Sequence, residues 1–290
     1  MLNPSSFLLV AALLVSNTHA ASLKVYNKCT GTVFLNTASS SGTIAHNVLL
    51  GAGKSTDMRI SANWNGAINV GTGCDASGRT CTTGGPTWDG RTPFSRAELN
   101  YAAIPGTVIY DISFIYGANV GMKISSSGGT GCANFACTLP KGCPIRGPGA
   151  NSCYSGCCRS AAECKAKGAL PPGGGGCPKN GYAGPHSDFF YKNCPNVYAF
   201  PFNDGAEGGK PANYVVSQCK NTAITVTLCP GETTHIPKSL GLLLQGEAQQ
   251  QMSRPWDASF DEYDPQALED EVFDSSDYLA LDSGSYEEDF

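Results

Sequence analysis

The run "VIYDISFIY", residues 108–116, sets one carboxylate, Asp111, among residues that suit a pleated strand. Asp is depleted in strands, so a lone one there is either paired structurally or works in a cleft. Only His46 and His186 lie between residue 20 and Pro230. That shortage argues against a Ser-His-Asp or Cys-His system, in which His is the usual base. Acid and base chemistry would fall to carboxylates. The other reactive residues are 14 Cys, all between Cys29 and Cys229. No Cys-x2-Cys pair occurs, so the spacing predicts disulfides rather than a metal centre, and no metal or cofactor is expected.

Disulfides imply an oxidising compartment, and the first 20 residues offer the route to one. They carry no charge, hold an apolar stretch at 7–15, and end in small residues at Thr18 and Ala20, as a secretory signal peptide does. The stretch is too short for a membrane span and nothing later resembles one, so no transmembrane segment is expected. The chain reads as secreted, to the extracellular space or cell wall.

Charge divides the sequence. After Pro230 lie 15 of the 24 acids and 2 of the 19 bases, leaving 9 acids and 17 bases before it, so the body is +8 and the tail −13. Residues 231–290 hold no Cys and show no sustained strand or helix period, and they read as a disordered acidic tail. Such a tail either confers solubility, or is removed, or masks the basic body.

The body, residues 21–230, is mainly β. Short apolar segments such as "LKVYN", "TVFLN", "HNVLL" and "AINVG" alternate with Gly, Ser, Thr and Asn, the pattern of a β-sandwich spanning 21–131 and 195–230. Helical turns are expected only at 97–99 and 160–167. Residues 132–194 shift to Gly, Pro and Cys, too little apolar surface for a core, so cross-links must order a disulfide-rich lobe there. The glycine run at 173–176 lacks a following Lys-Ser/Thr and reads as a flexible turn, not a phosphate loop. No Asn-x-Ser/Thr acceptor with a permitted middle residue occurs.

The blocks "C-x-G-T-V" at Cys29, "GTGCDASGRTC" at Gly71, "RAELN" at Arg96, "YDISFIYGANVGM" at Tyr110, "CPNVYAFPFND" at Cys194 and "TLCP" at Thr227 together resemble the thaumatin-like protein family, of the pathogenesis-related group 5 type. The resemblance implies a β-sandwich, a disulfide-rich lobe and an acidic cleft between them. By family order it pairs Cys29 with Cys229, Cys74 with Cys81, Cys132 with Cys219, Cys137 with Cys194 and Cys143 with Cys153. Cys157, Cys158, Cys164 and Cys177 stay open. The family's Cys pair just after Cys81 is absent, where "TTGGPTWDG" stands.

In the family the cleft is lined by an Arg, a Glu and several Asp. Glu98 and Asp111 match two of those acids, whereas Tyr116 replaces the next, "PFND" keeps only Asp204, and "AINVGTGC" lacks the Arg. Glycoside hydrolysis uses two carboxyl groups, so Glu98 is the candidate acid, its pKa raised in a partly apolar cleft, and Asp111 the charged nucleophile or base. The bland alternatives are a salt bridge from Glu98 to Arg96, a structural pairing of Asp111, and a turn at Asp204. Tyr116, Phe94, Tyr101 and Phe202 are candidate sugar-binding rings beside Asp204. A monomer is expected, and the resemblance implies recognition of cell-wall β-1,3-glucan, with weak endo-β-1,3-glucanase activity as a glycoside hydrolase. Its alternative is a non-catalytic defence, antifungal or enzyme-inhibitor protein. No nucleic-acid partner is expected.

Overall fold

The computed structural model describes residues 21–45, 47–78, 80–85, 92–167, 177, 181–221 and 223–245. The signal segment, the glycine run at 173–176 and the chain from 246 onward lie outside the described residues.

Two sheets form the body. The first holds β1 (Ser22–Asn27), β4 (Ser55–Met58), β8 (Met122–Ser126), β9 (Phe135–Cys137) and β11 (Ala223–Leu228), in the order β4-β1-β11-β8-β9. β1 and β8 alternate: Leu23 and Val25 face inward while Lys24 is exposed, and Met122 and Ile124 face inward around a half-buried Lys123. This is the pattern of a sheet with one wet face. Within it, β1 pairs parallel with β11 and the other neighbours are antiparallel.

The second sheet holds β2 (Val33–Ser41), β3 (Val48–Leu50), β5 (Asn65–Thr72), β6 (Arg96–Ile104), β7 (Thr107–Ser113) and β10 (Val216–Cys219), in the order β10-β7-β6-β5-β2-β3. It is antiparallel throughout. All seven residues of β7 are buried, so this sheet is covered on both faces. One face belongs to the core that joins the sheets, where Trp64, Ile68, Leu99, Tyr110, Phe135 and Val226 are buried. The other face carries Arg96, Glu98 and Asp111.

Residues 97–99 do not form the helical turn that their sequence suggests; they lie within β6. The reason is a period of two that Ala97, Leu99 and Tyr101 share on the core side, with Arg96, Glu98 and Asn100 opposite. The expected turn at 160–167 forms as α1 (Ala161–Lys167). Its neighbourhood has a small separate core of Tyr154, Cys158 and Cys164. So little apolar surface accounts for the bridges that hold this lobe: Cys143–Cys153, Cys157–Cys177 and Cys158–Cys164. The remaining bridges are Cys29–Cys229, Cys74–Cys81, Cys132–Cys219 and Cys137–Cys194. A second lobe helix, α2 (Ser187–Asn193), buries Phe190 edge-on against Phe114.

The chain does not leave the body at Gly231. Thr234 bonds both ways with Ala136 (2.9 and 3.0 Å), Thr233 Oγ1 accepts from the Thr138 amide, and Glu232 pairs with Lys123 at 2.7 Å. Asn196 then clamps Ile236 through both of its amide atoms. Helix α3 (Lys238–Gln245) follows, and Gly241 lets it lie against the Tyr214 ring, where a Cβ would overlap ring atoms. Residues 231–245 are therefore a strap of the folded body. The acids after it hid its short apolar period in "KSLGLLLQ".

Candidate functional site

Strand register assembles the site. Glu98 on β6 stands opposite Asp111 on β7, and Arg96 stands opposite Asn69 on β5 and Ser113 on β7. Residues directly opposite on adjacent strands have Cβ atoms about 4.5 to 5.5 Å apart, so the two carboxyl groups meet. Arg96, itself buried, places Nε 3.0 Å from Glu98 Oε1. The cation expected upstream of Cys74 thus comes from the neighbouring strand.

Asp111 has 0% exposure, and neither of its oxygens accepts a hydrogen bond from a donor among the described residues. Burial first, and the charge of Glu98 second, drive its carboxyl well above the usual carboxylate range, against a smaller opposing pull from Arg96. Glu98 lies within hydrogen-bonding reach of it. Two carboxylates cannot bond to each other, so that bond exists only while the pair retains a proton. The raised pKa expected for Glu98 falls instead on Asp111, the fully buried carboxyl, while Glu98 is ion-paired and keeps 18% of its side chain exposed.

A third acid approaches from residues 195–204. Tyr198 is tied to the edge of β7, its amide donating to Ile112 O at 2.9 Å and its carbonyl accepting from Phe114 N at 2.8 Å. Its hydroxyl donates to Asp204 Oδ2 at 3.1 Å. Burial, then the charges of Asp204 and Asp111, push that hydroxyl well above its ordinary value, so it remains a donor. Asp204 Oδ1 accepts the Ala206 amide at 2.8 Å, the local turn that "NDG" favours. Gly205 takes φ 97° there, and Lys238 of the strap donates to the Asp204 carbonyl.

The aromatic candidates separate. Tyr116 is half-buried, stacks on Phe94 with ring centroids 5.0 Å apart, and has the Arg96 guanidinium 5.3 Å from its ring centre. Phe94 is fully buried beneath it and supports the ring without reaching a ligand. Tyr101 does not join the site, because strand alternation turns it into the core beside Trp64. Phe202 is half-buried and meets Tyr182 edge-on. Asn69 was not anticipated: it is buried opposite Arg96, and its amide has no hydrogen-bond partner among the described residues. The alternation of Ala67, Asn69 and Gly71 put it on this face, but only the register reveals its neighbours.

A Pathogenesis-related thaumatin-like protein 3.5 from Cryptomeria japonica is 29% identical over 221 residues, covering 70% of this chain and 88% of that protein. A Glucan endo-1,3-beta-glucosidase from Prunus avium is 27% identical over 238 residues, covering 73% and 91%. Among solved structures, the thaumatin-like xylanase inhibitor TLXI matches with a TM-score of 0.39 at 16% identity, covering 72% of this chain and 99% of that one. The model of the Thaumatin family matches residues 27–230, which takes in the strands after β1, the lobe and the acidic face and stops where the strap begins. The chain belongs to the thaumatin family.

Proposed function

We propose that the acidic face recognises a neutral β-1,3-glucan chain of the cell wall without hydrolysing it, as an exported defence protein. The observation that carries this reading is the complete burial of Asp111 in a carboxyl pair. Glycosidases hold their two carboxyl groups about 5 to 9.5 Å apart, with the glycosidic bond between them. A pair close enough to share a proton leaves no room for that bond, and Asp111 does not reach a ligand. The groups that do are Glu98, Asp204 and the exposed part of Tyr116. Carboxylates accept hydrogen bonds from sugar hydroxyls, and a tyrosine ring offers an apolar face beside them. The glucan is suggested by the printed name of the Prunus avium relative.

Calorimetric titration of the mature chain, from residue 21, with a linear β-1,3-glucan hexasaccharide tests the reading. Glu98→Gln and Asp204→Asn are each expected to weaken binding about tenfold, the equivalent of one charged hydrogen bond. No reducing ends should be released above blank. Binding unchanged in both variants would sink the proposal, and release of reducing ends that Glu98→Gln abolishes would restore the hydrolase reading.

A further inference from the structure

Apart from the acidic face, a cavity of about 630 Å³ opens between the end of the sandwich and the lobe. Its sandwich wall is Asn119, Val120 and Gly121 with Cys229 and Gly231; its lobe wall is formed by residues 138–143 and 146, with 149–153. The volume falls within the range of about 300 to 1,000 Å³ common for small-ligand sites. A single inorganic anion would leave most of it filled with water.

The walls are fixed before any ligand arrives. Cys143–Cys153 closes the lobe side, and Cys29–Cys229 ties the sandwich side. Between the lobe cysteines, Tyr154 donates to Ile145 O and Gly147 to Ser152 O, so residues 145–154 form a braced loop. Cys153 in turn exchanges backbone bonds with Ala118 at 2.7 and 2.8 Å, joining lobe to sandwich. A preformed cavity spares a ligand the ordering cost of shaping it.

Most neutral polar side chains of the lining already serve the wall. Asn119 donates to Val70 O and Thr83, Ser152 to Pro148 O, and Thr138 to Glu232 O. The charged lining residues are Lys141 and Arg146, both exposed; no Asp or Glu lines the cavity, and neither cation pairs with an acid among the described residues. Val120, Leu139 and Pro140 add apolar surface. Two unneutralised cations beside an apolar wall suit a ligand that carries carboxylates on a ring with C–H faces. Arg supplies a planar fork that matches a carboxylate, and Lys a mobile point charge.

We propose that this cavity binds a short anionic oligosaccharide built of uronic acids, whose carboxylates pair with Arg146 and Lys141. The site is independent of the acidic face, where a polyanion would meet Glu98 and Asp204.

The test is calorimetric titration of the full mature chain with trigalacturonate, a neutral β-1,3-glucan trisaccharide and inorganic sulfate, at one ionic strength. Trigalacturonate should bind, and Lys141→Gln/Arg146→Gln should weaken it about tenfold or more while leaving the thermal midpoint and the neutral trisaccharide unaffected. Three results overturn the proposal: no trigalacturonate binding, unchanged trigalacturonate binding in the double variant, or sulfate binding as tightly. The last would reduce the cavity to a bare anion site. Because the neutral sugar is measured alongside, failure here is distinguishable from failure at the acidic face.

Discussion

Glu98 and Asp111 face each other across β6 and β7, and Arg96 stands within ion-pair distance of Glu98 while Asp111 accepts no hydrogen bond from the described residues. The cation that steadies the cluster therefore serves the outer carboxyl directly and the inner one only through its field. The stability of this face depends on a proton.

That dependence has a sign. The folded-state pKa of Asp111 lies above its unfolded value, so the folded chain holds the proton more tightly and stability falls as pH rises through the raised value. Asp111→Asn, which cannot ionise and can donate to Glu98, should flatten this decline and add about 1 to 3 kcal/mol at pH 8. Urea titrations at pH 5 and pH 8 read the difference. An equal pH slope in parent and variant would count against the shared proton.

Arg96→Met removes the cation beside Asp111 and leaves Glu98 and Asp111 in an acidic cluster with Asp204. Breaking a buried ion pair from one side costs about 3 kcal/mol or more. Adding Glu98→Gln should return much of that loss, because the stranded charge is gone. A double-mutant cycle by urea denaturation measures the coupling, and strictly additive costs would show that the pair contributes nothing.

Tyr116 and Phe94 stack, yet their variants should differ in kind. Phe94→Ala empties a fully buried site and is expected to cost about 3 to 5 kcal/mol of stability. Tyr116→Ala should fold with a smaller loss and weaken β-1,3-glucan binding about tenfold. Thermal unfolding beside glucan titration separates the two; full glucan affinity in Tyr116→Ala would remove that ring from the site.

The strap offers a test of where the body ends. A chain stopped after Pro230 loses the bonds of Thr233, Thr234 and Ile236 and the Lys123–Glu232 pair, and should be less stable by about 3 kcal/mol than one stopped after Gln245. Gly241→Val, which drives a side chain into the Tyr214 ring, should reproduce part of that loss. Thermal midpoints of the three proteins decide it, and equal midpoints would show that the strap adds no stability.

Much of the fold was legible because one wet face writes a period of two into β1, β8 and β11. Residues 97–99 misled because Ala, Glu and Leu favour helices, and only their burial across the sheet overrides that preference. Asp111 signalled a site by being out of place, but the sequence does not state which strand lies beside it. Register supplies that, and with it the burial of Asp111 beside Glu98 and the pairing of Glu98 with Arg96. The adjacent Cys157 and Cys158 were equally opaque, since neighbours point to different partners only once the chain path around α1 is known. Charge concealed the strap: a composition read over the whole acidic segment averages away eight residues of helix.

The parallel pairing of β1 with β11, sealed by Cys29–Cys229 across a separation of 200 residues, also sets a clock. The first strand has no neighbour on that side until the last emerges. At synthesis rates of about 5 to 20 residues per second, that is a wait of roughly 10 to 40 s. During it Leu23, Val25 and the Cys29 thiol are uncovered and open to wrong partners, mispaired cysteines among them. Completion of this sheet then waits on a contact across 200 residues, and what guards the amino-terminal strand in the meantime bears on the quality of the product.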